Sequence, residues 1–434
     1  MSGVGMSAMG RSAVGRSARC SRRAALAGLG GLAALPLLTA RPARASAPVR
    51  RFVYVMVPGG WDPTRALSPV FGHPLVRMEA AARPGLAGAI PFVDHPGRPS
   101  VAAFFDENHH RAVILEGLLV PSVAHRTSTQ LVLTGAAADG LPDWASLVAA
   151  ESGDFTVPHV VIDGPSYPGG QSGSVVRTGA AGQLQGLLDG SLVDRLSPRP
   201  ARLSPEVAAL VAERARGRAE AAAGRAQTPR DQALADGHAD ALARAQALRG
   251  ASGAIPWDTG GAFDGQVRLG AALLGAGLCR SVGLAFATER DWDSHYLNEE
   301  RQHPLTEALF AGLRGLAQTL DRTLGPSGLP LSEDTVVVVL SEMGRTPIEN
   351  GSKGKDHWPW TPALLFGPGL RGDQVIGALD AGMAGVAIDP ESGAPDPGGV
   401  APGPGHLGAT LLQLAGLDPE AALPGLPPLT CALA

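Results

Sequence analysis

The chain has 434 residues, a formal net charge of −4, three cysteines and only two lysines, Lys353 and Lys355. Its first 45 residues hold seven arginines and no acid, so the remainder carries 29 basic against 40 acidic residues. That acid excess argues against nucleic-acid binding, where Lys and Arg must meet phosphates, and the lack of a CxxC pair argues against a thiolate zinc site.

Ser21-Arg22-Arg23-Ala24-Ala25-Leu26 opens an apolar stretch that runs to about Leu38, and Ala43-Arg44-Ala45 follows as a small-x-small cleavage signature. Together they read as a twin-arginine export signal over residues 1–45, with the mature chain starting near Ser46. The stretch is shorter than the roughly 20 residues of a spanning helix, and Pro36 interrupts it, so no stable membrane anchor is expected after cleavage. The expected partner during export is the Tat translocase, and the expected location is periplasmic or extracellular. A disordered basic arm is the alternative. Cys20 leaves with the signal; Cys279 and Cys431 can pair in an oxidising compartment, but their spacing does not decide it.

Residues 46–434 read as one large α/β domain. Strands are expected at 51–57, 112–119, 157–162, 281–287, 335–340 and 363–366. The run Val336-Val337-Val338-Val339-Leu340 has no polar alternation, which marks a strand buried on both faces. Helical periodicity is clearest at 266–278 and 305–324, so a mostly parallel sheet covered by helices is expected. Residues 204–249, rich in Ala, Arg and Glu and broken at Thr228-Pro229, read as a two-helix insertion. Residues 387–404 are dense in Pro, Gly and Asp and read as loop, with a terminal helix at 405–417.

Four polar islands follow strand ends, where open α/β sheets bind ligands. Gly59-Gly60-Trp61-Asp62 is a tight turn that would aim Asp62 into the crevice, although Asp62-Pro63 also reads as an ordinary turn starter. Ala124-His125-Arg126-Thr127-Ser128-Thr129 enters a helix ending at Gly135. His125 is a candidate metal ligand or general base there, whereas Ser128 and Thr129 are better read as caps. Asp291-Trp292-Asp293-Ser294-His295 gathers two acids and an imidazole, a group that a divalent ion would relieve of carboxylate burial. His303, before Pro304, reads as a cap at a helix start. The fourth island holds Glu342, Arg345, Asp356 and His357. Arg345 offers a planar fork for sulfate, phosphate or carboxylate, or a salt bridge to an acid such as Glu349. Both lysines flank Asp356-His357, which is also what an Arg-biased composition leaves by chance.

Taken in order, Gly59-Gly60-x-Asp62, Trp292-Asp293-x-His295, Ser341-Glu342-x-Gly344-Arg345-Thr346-Pro347 and Asp356-His357 before Thr361-Pro362 resemble the alkaline phosphatase and sulfatase superfamily. They look closest to a Tat-exported, sulfatase-like branch, domain of unknown function family 1501. The resemblance implies an alkaline-phosphatase-like α/β/α sandwich with one or two divalent metal ions per chain, Zn, Mn, Mg and Ca all remaining open. It implies that Asp62 and Glu342 serve one metal, and that Asp291 or Asp293, with His295 and His357, serve the other; Asp356 joins the metal set as a neighbouring acid. Two departures stand out. Met343 follows Glu342 where metal-dependent members commonly carry Asp-His. Counting back from Leu133-Thr134-Gly135, the sulfatase nucleophile and arginine positions fall on His125 and Thr129. His125 can then replace the imidazole missing at Met343, giving a site of Asp62, His125 and Glu342.

These residues suggest an exported metal-binding, hydrolase-like protein acting on a small anionic phosphate or sulfate ester or glycan through a metal-activated water. His125 and Arg345 are the catalytic candidates, with Arg345 or Arg126 holding the anion. The alternative is a non-catalytic exported binding protein that keeps the scaffold without turnover.

Overall fold

The structure, a computed structural model, describes residues 49–179, 183–189, 203–257, 262–287 and 292–434. The expected export signal and Asp291 lie outside these residues. Among the described residues the strands are β1 (Arg51–Met56), β2 (Arg83–Ala87), β3 (Ile90–Asp94), β4 (Ala112–Leu119), β5 (His159–Val161), β6 (Val175–Arg177), β7 (Ser281–Ala285), β8 (Thr335–Leu340), β9 (Gly344–Arg345), β10 (His357–Trp358), β11 (Trp360–Phe366) and β12 (Gln374–Ile376). The helices are α1 (Pro99–Asn108), α2 (His125–Thr134), α3 (Trp144–Ala150), α4 (Gln183–Asp189), α5 (Pro205–Ala223), α6 (Pro229–Ala251), α7 (Phe263–Gly275), α8 (Asn298–Arg322), α9 (Pro404–Leu414) and α10 (Pro419–Ala422).

Eight strands form one sheet in the order β12-β4-β11-β8-β1-β7-β5-β6. Every neighbouring pair is parallel except those made by β11, which runs antiparallel to both β4 and β8. Side chains alternate across a strand, and here both faces are covered. Val53, Val55, Val337 and Val339 pack into one core with Phe104, Leu309 and Phe310 from α1 and α8. Phe52, Tyr54, Val336, Val338 and Leu340 pack into the other with Leu131, Trp144 and Leu411 from α2, α3 and α9. Burial on both sides is why the valine run has no polar member. The chain is thus an α/β/α sandwich on a mostly parallel sheet.

The register decides where the loops emerge. Met56 lies beside Leu340 on one side and Ala285 on the other, so β1, β8 and β7 end level. The segments that follow them, and the turn from β4 into α2, leave at this carboxyl edge. Because β11 is reversed, its first residue Trp360 pairs with Leu119, the last of β4. The residues before β11 therefore arrive at the same edge.

Three local differences have physical causes. The hairpin β2–β3 pairs a mostly exposed strand carrying Arg, Pro and Gly with one whose Ile90, Phe92 and Val93 are buried, and Pro91 interrupts the apolar run that would mark it. Helix α8 starts at Asn298, so His303 and Pro304 lie within it; the Leu297 and Asn298 N–H groups donate to the Ser352 and Lys353 carbonyls, which fix the earlier start. Cys279 and Cys431 are both buried and unpaired. Helices α5 and α6 pack against each other, each capped by a side chain, Ser204 and Thr228, and most of their surface is exposed. No helix among the described residues is long and apolar enough to cross a membrane.

Candidate metal centre

The loop after β1 and the loop after β8 are locked together. Gly59 and Gly60 both have left-handed backbone, φ 112° and 77°, a conformation that favours glycine. A side chain at Gly60 would lie 2.9 Å from Met343 Cγ and 3.1 Å from Arg345 Nη2. The space beside Gly60 is filled by Met343 and Arg345. Gly59 N–H donates to Glu342 Oε1 at 2.8 Å, and Ser341 Oγ donates to the Val57 carbonyl at 2.8 Å.

Arg345 is the bolt across this junction. Its Nε donates to the Gly60 carbonyl at 2.8 Å, Nη1 to the Lys355 carbonyl at 3.2 Å, and Nη2 to the Gly59 carbonyl and to Asp293 Oδ1, the latter at 2.7 Å. Its side chain is fully buried. Arg345, read as an anion holder, is instead engaged in the protein at every nitrogen and does not reach a substrate.

The short ladder β9–β10 pairs Arg345 with His357 and so presents His357 beside the same junction. Gly344 permits this, because a Cβ there would sit 2.3 Å from the Trp360 carbonyl oxygen. The loop before β10 is joined to the loop before α8 by Lys355 N–H to the Ser294 carbonyl, 3.0 Å, and Asn350 Nδ2 to the His295 carbonyl, 2.9 Å. Gly354 presses on His295 so closely that a Cβ would lie 2.0 Å from its carbonyl.

These contacts gather His125, Asp293, His295, Glu342, Asp356 and His357. Nε2 of His357 lies 3.0 Å from Asp293 Oδ1 and 3.0 Å from His295 Nε2; His295 Nε2 is 3.1 Å from Asp293 Oδ1, and His125 Nε2 is 3.4 Å from Asp293 Oδ2. Ligand atoms of His125, Asp293 and His357 all lie within 4.8 Å of one another. Each imidazole is braced from behind. Nδ1 of His125 meets Glu342 Oε1 at 2.7 Å, Nδ1 of His295 meets Asp356 Oδ1 at 2.7 Å, and Nδ1 of His357 meets the Val123 carbonyl at 2.6 Å. Acceptors at all three Nδ1 atoms favour the tautomer that carries its proton there and turns a bare Nε2 lone pair inward. This is the outer-shell arrangement that orients metal-binding histidines. Glu342 and Asp356, expected as ligands, are found behind histidines rather than beside the convergence point.

Three features of this cluster fit a divalent ion. His125 Nε2 is buried without a hydrogen-bond partner. The facing lone pairs of His295 and His357 repel unless a proton or cation lies between them. Among the described residues, the carboxylates of Asp293, Glu342 and Asp356 outnumber the Arg345 guanidinium by two charges. Tetrahedral bonds of 2.0–2.1 Å place ligand atoms about 3.3 Å apart, close to the separations seen. Burial opposes ionisation of Asp293, yet Arg345 and His357 hold its carboxyl well below the usual range. The Glu342 hydrogen bond raises the His125 pKa above its ordinary value, against burial.

Asp62 belongs to a different cluster. Its Oδ1 accepts from Thr64 N–H and Oγ1 at 3.2 and 2.7 Å; its Oδ2 accepts from Arg65 Nε, Asn298 Nδ2 and Lys355 Nζ at 3.2, 2.7 and 2.9 Å. Burial would raise this carboxyl, but Lys355 and Arg65 outweigh it and keep it ionised far below the usual range. Next to it, Glu79 takes Arg65 Nη1 at 3.3 Å and Arg98 Nη1 at 2.7 Å. Glu79, His95 and His303 also approach one another closely, but three cations already serve two carboxylates here. Unit charges at 4 Å repel by about 4 kcal/mol at an effective dielectric of about 20, and a divalent ion doubles that for each neighbour. The structure therefore does not bring Asp62 to His125 and Glu342.

Sequence reasoning did not assign the Val123 carbonyl or the roles of Lys355, Asn298 and Glu79. The one available signal was the pair of lysines beside Asp356-His357.

The fold and this edge cluster define an α/β/α sandwich protein with a candidate metal centre at the carboxyl end of its sheet. Within that class, the chain belongs to the family described as protein of unknown function (DUF1501), whose profile matches residues 109–425. No curated protein matches the chain. Solved structures similar to it include BT1596, a 2-O GAG sulfatase, at 11% identity over 87% of this chain and 74% of that one, TM-score 0.37. Another is Ps i-CgsB in complex with k-i-k-neocarrahexaose, at 9% identity over 85% and 72%, TM-score 0.34.

Proposed function

We propose that this is a metal-dependent, hydrolase-like protein of the alkaline phosphatase and sulfatase type, exported by the Tat pathway to the periplasm or cell exterior, that opens a phosphate or sulfate ester without a protein nucleophile. The observation that carries this reading is the convergence of His125, Asp293 and His357 on one point, each histidine braced at Nδ1. A divalent ion there would acidify water and polarise an ester oxygen. His125 occupies the position read as that of the nucleophile, and its hydrogen bond to the buried Glu342 makes it a ligand or base rather than an attacking group. His295 lies at the rim, its side chain 43% exposed and its Nδ1 tied to Asp356, placed to take a proton at its bare Nε2. Arg126, exposed beside His125 on α2, is placed to meet the anion that Arg345 cannot reach.

The test is elemental analysis of protein saturated in turn with Zn2+, Mn2+, Mg2+ and Ca2+, followed by a panel of phosphate and sulfate esters with the retained ion present. Ion-dependent turnover that disappears in His357→Ala supports hydrolysis. A retained ion with no turnover on any ester favours the second reading, an exported binding protein, which the histidine at the nucleophile position also suits.

A further inference from the structure

We infer that the Lys355 ammonium stands where a second divalent ion would, so the centre takes one ion per chain, held by His125, Asp293 and His357. The inference rests on the metal-dependent reading above and fixes its stoichiometry. Asp62 follows β1 at the carboxyl edge of the sheet, where the resemblance implies a ligand of a further metal ion. An ionised carboxylate offers about four acceptor positions, and Asp62 already meets five donors from Thr64, Arg65, Asn298 and Lys355. Neither Asp62 nor Lys355 exposes any side-chain surface. Lys355 Nζ also lies 3.2 Å from Thr64 Oγ1.

Lys355 has no way to withdraw. Its N–H is held by the Ser294 carbonyl and its own carbonyl by Arg345, so the residue is fastened at backbone and ammonium alike. An ammonium supplies charge and three donors but no open coordination position. It therefore neutralises Asp62 without creating a second Lewis-acid centre. It also anchors the loop whose next two residues are Asp356 and His357, so the internal cation positions one ligand, His357, of the external one.

The experiment counts Zn2+ and Mn2+ per folded chain after saturation and desalting. Wild type and Asp62→Asn should each retain one ion, and Asp293→Asn and His357→Ala should retain almost none. Because Asp62→Asn leaves a buried ammonium unpaired, Asp62→Asn/Lys355→Met removes both charges and should also retain one. Two ions in wild type, or loss of the single ion in the folded double variant, overturns the inference while leaving metal dependence intact. No ion in wild type overturns metal dependence itself, and the inference with it.

Discussion

Two clusters of acids, bases and histidines stand at the same edge of the sheet and differ in how their charge is balanced. Around Asp62 and Glu79 the protein supplies its own cations, Lys355, Arg65 and Arg98, all buried. Around Asp293 the described residues supply three imidazoles and one guanidinium against three carboxylates, and the histidines are partly exposed. The comparison teaches that residue type does not separate a structural ion network from a metal centre. Local charge balance and the direction of the lone pairs do.

The largest test of that contrast is Lys355→Met. Removing one partner of a buried ion pair typically costs about 3–5 kcal/mol, whereas replacing both is often close to neutral. Urea unfolding should show most of the loss recovered in Asp62→Asn/Lys355→Met. Equal losses in the single and double variants would mean that the pair is not the source of the effect.

Glu116 extends the comparison to an acid with no cation beside it among the described residues. It is buried in β4, accepts only from Ser68 Oγ at 2.9 and 3.2 Å, and burial pushes its pKa up to about 7. The folded chain keeps this proton up to about pH 7, while the unfolded chain releases it near the ordinary 4.5. Stability contributed by this residue should thus be complete below pH 4.5 and fall between pH 4.5 and 7, by up to about 1.4 kcal/mol per pH unit. Glu116→Gln should flatten that part of the stability profile, and an unchanged slope would rule the residue out.

The smallest effect is expected behind the histidines. Glu342→Gln and Asp356→Asn leave the inward-facing atoms in place and weaken only their bracing, which typically lowers metal affinity by about 10–100-fold. Isothermal titration with Zn2+ reads this directly. Complete loss of binding in Asp356→Asn would move that carboxylate from bracing to coordination.

Six of the eight strands of the central sheet were legible because burial on both faces writes apolar runs, as in Val336–Leu340. The short edge strands β6 and β12 were not, nor was the β2–β3 hairpin, since Arg83, Pro84 and Gly85 carry no such signal. Asp293, His295 and His357 were read together and do meet, whereas His125, read with Asp62 and Glu342, keeps Glu342 behind it but joins the other three. The split between inner and outer partners was not legible, because it depends on which nitrogen of each ring faces which oxygen. Asp62 and Arg345 were the least legible. Their partners, Lys355 for the first and the Gly59 and Gly60 carbonyls for the second, meet them only through the sheet register, and no local spacing records that.

The close seating of Gly354 on His295 has a kinetic consequence. The segments bearing His295 and His357 are riveted main chain to main chain, so the two rings travel as one piece and His357 is already in place before any ion arrives. Capture should then proceed at an encounter-limited pace, and amide exchange in both segments should look nearly the same with and without bound ion.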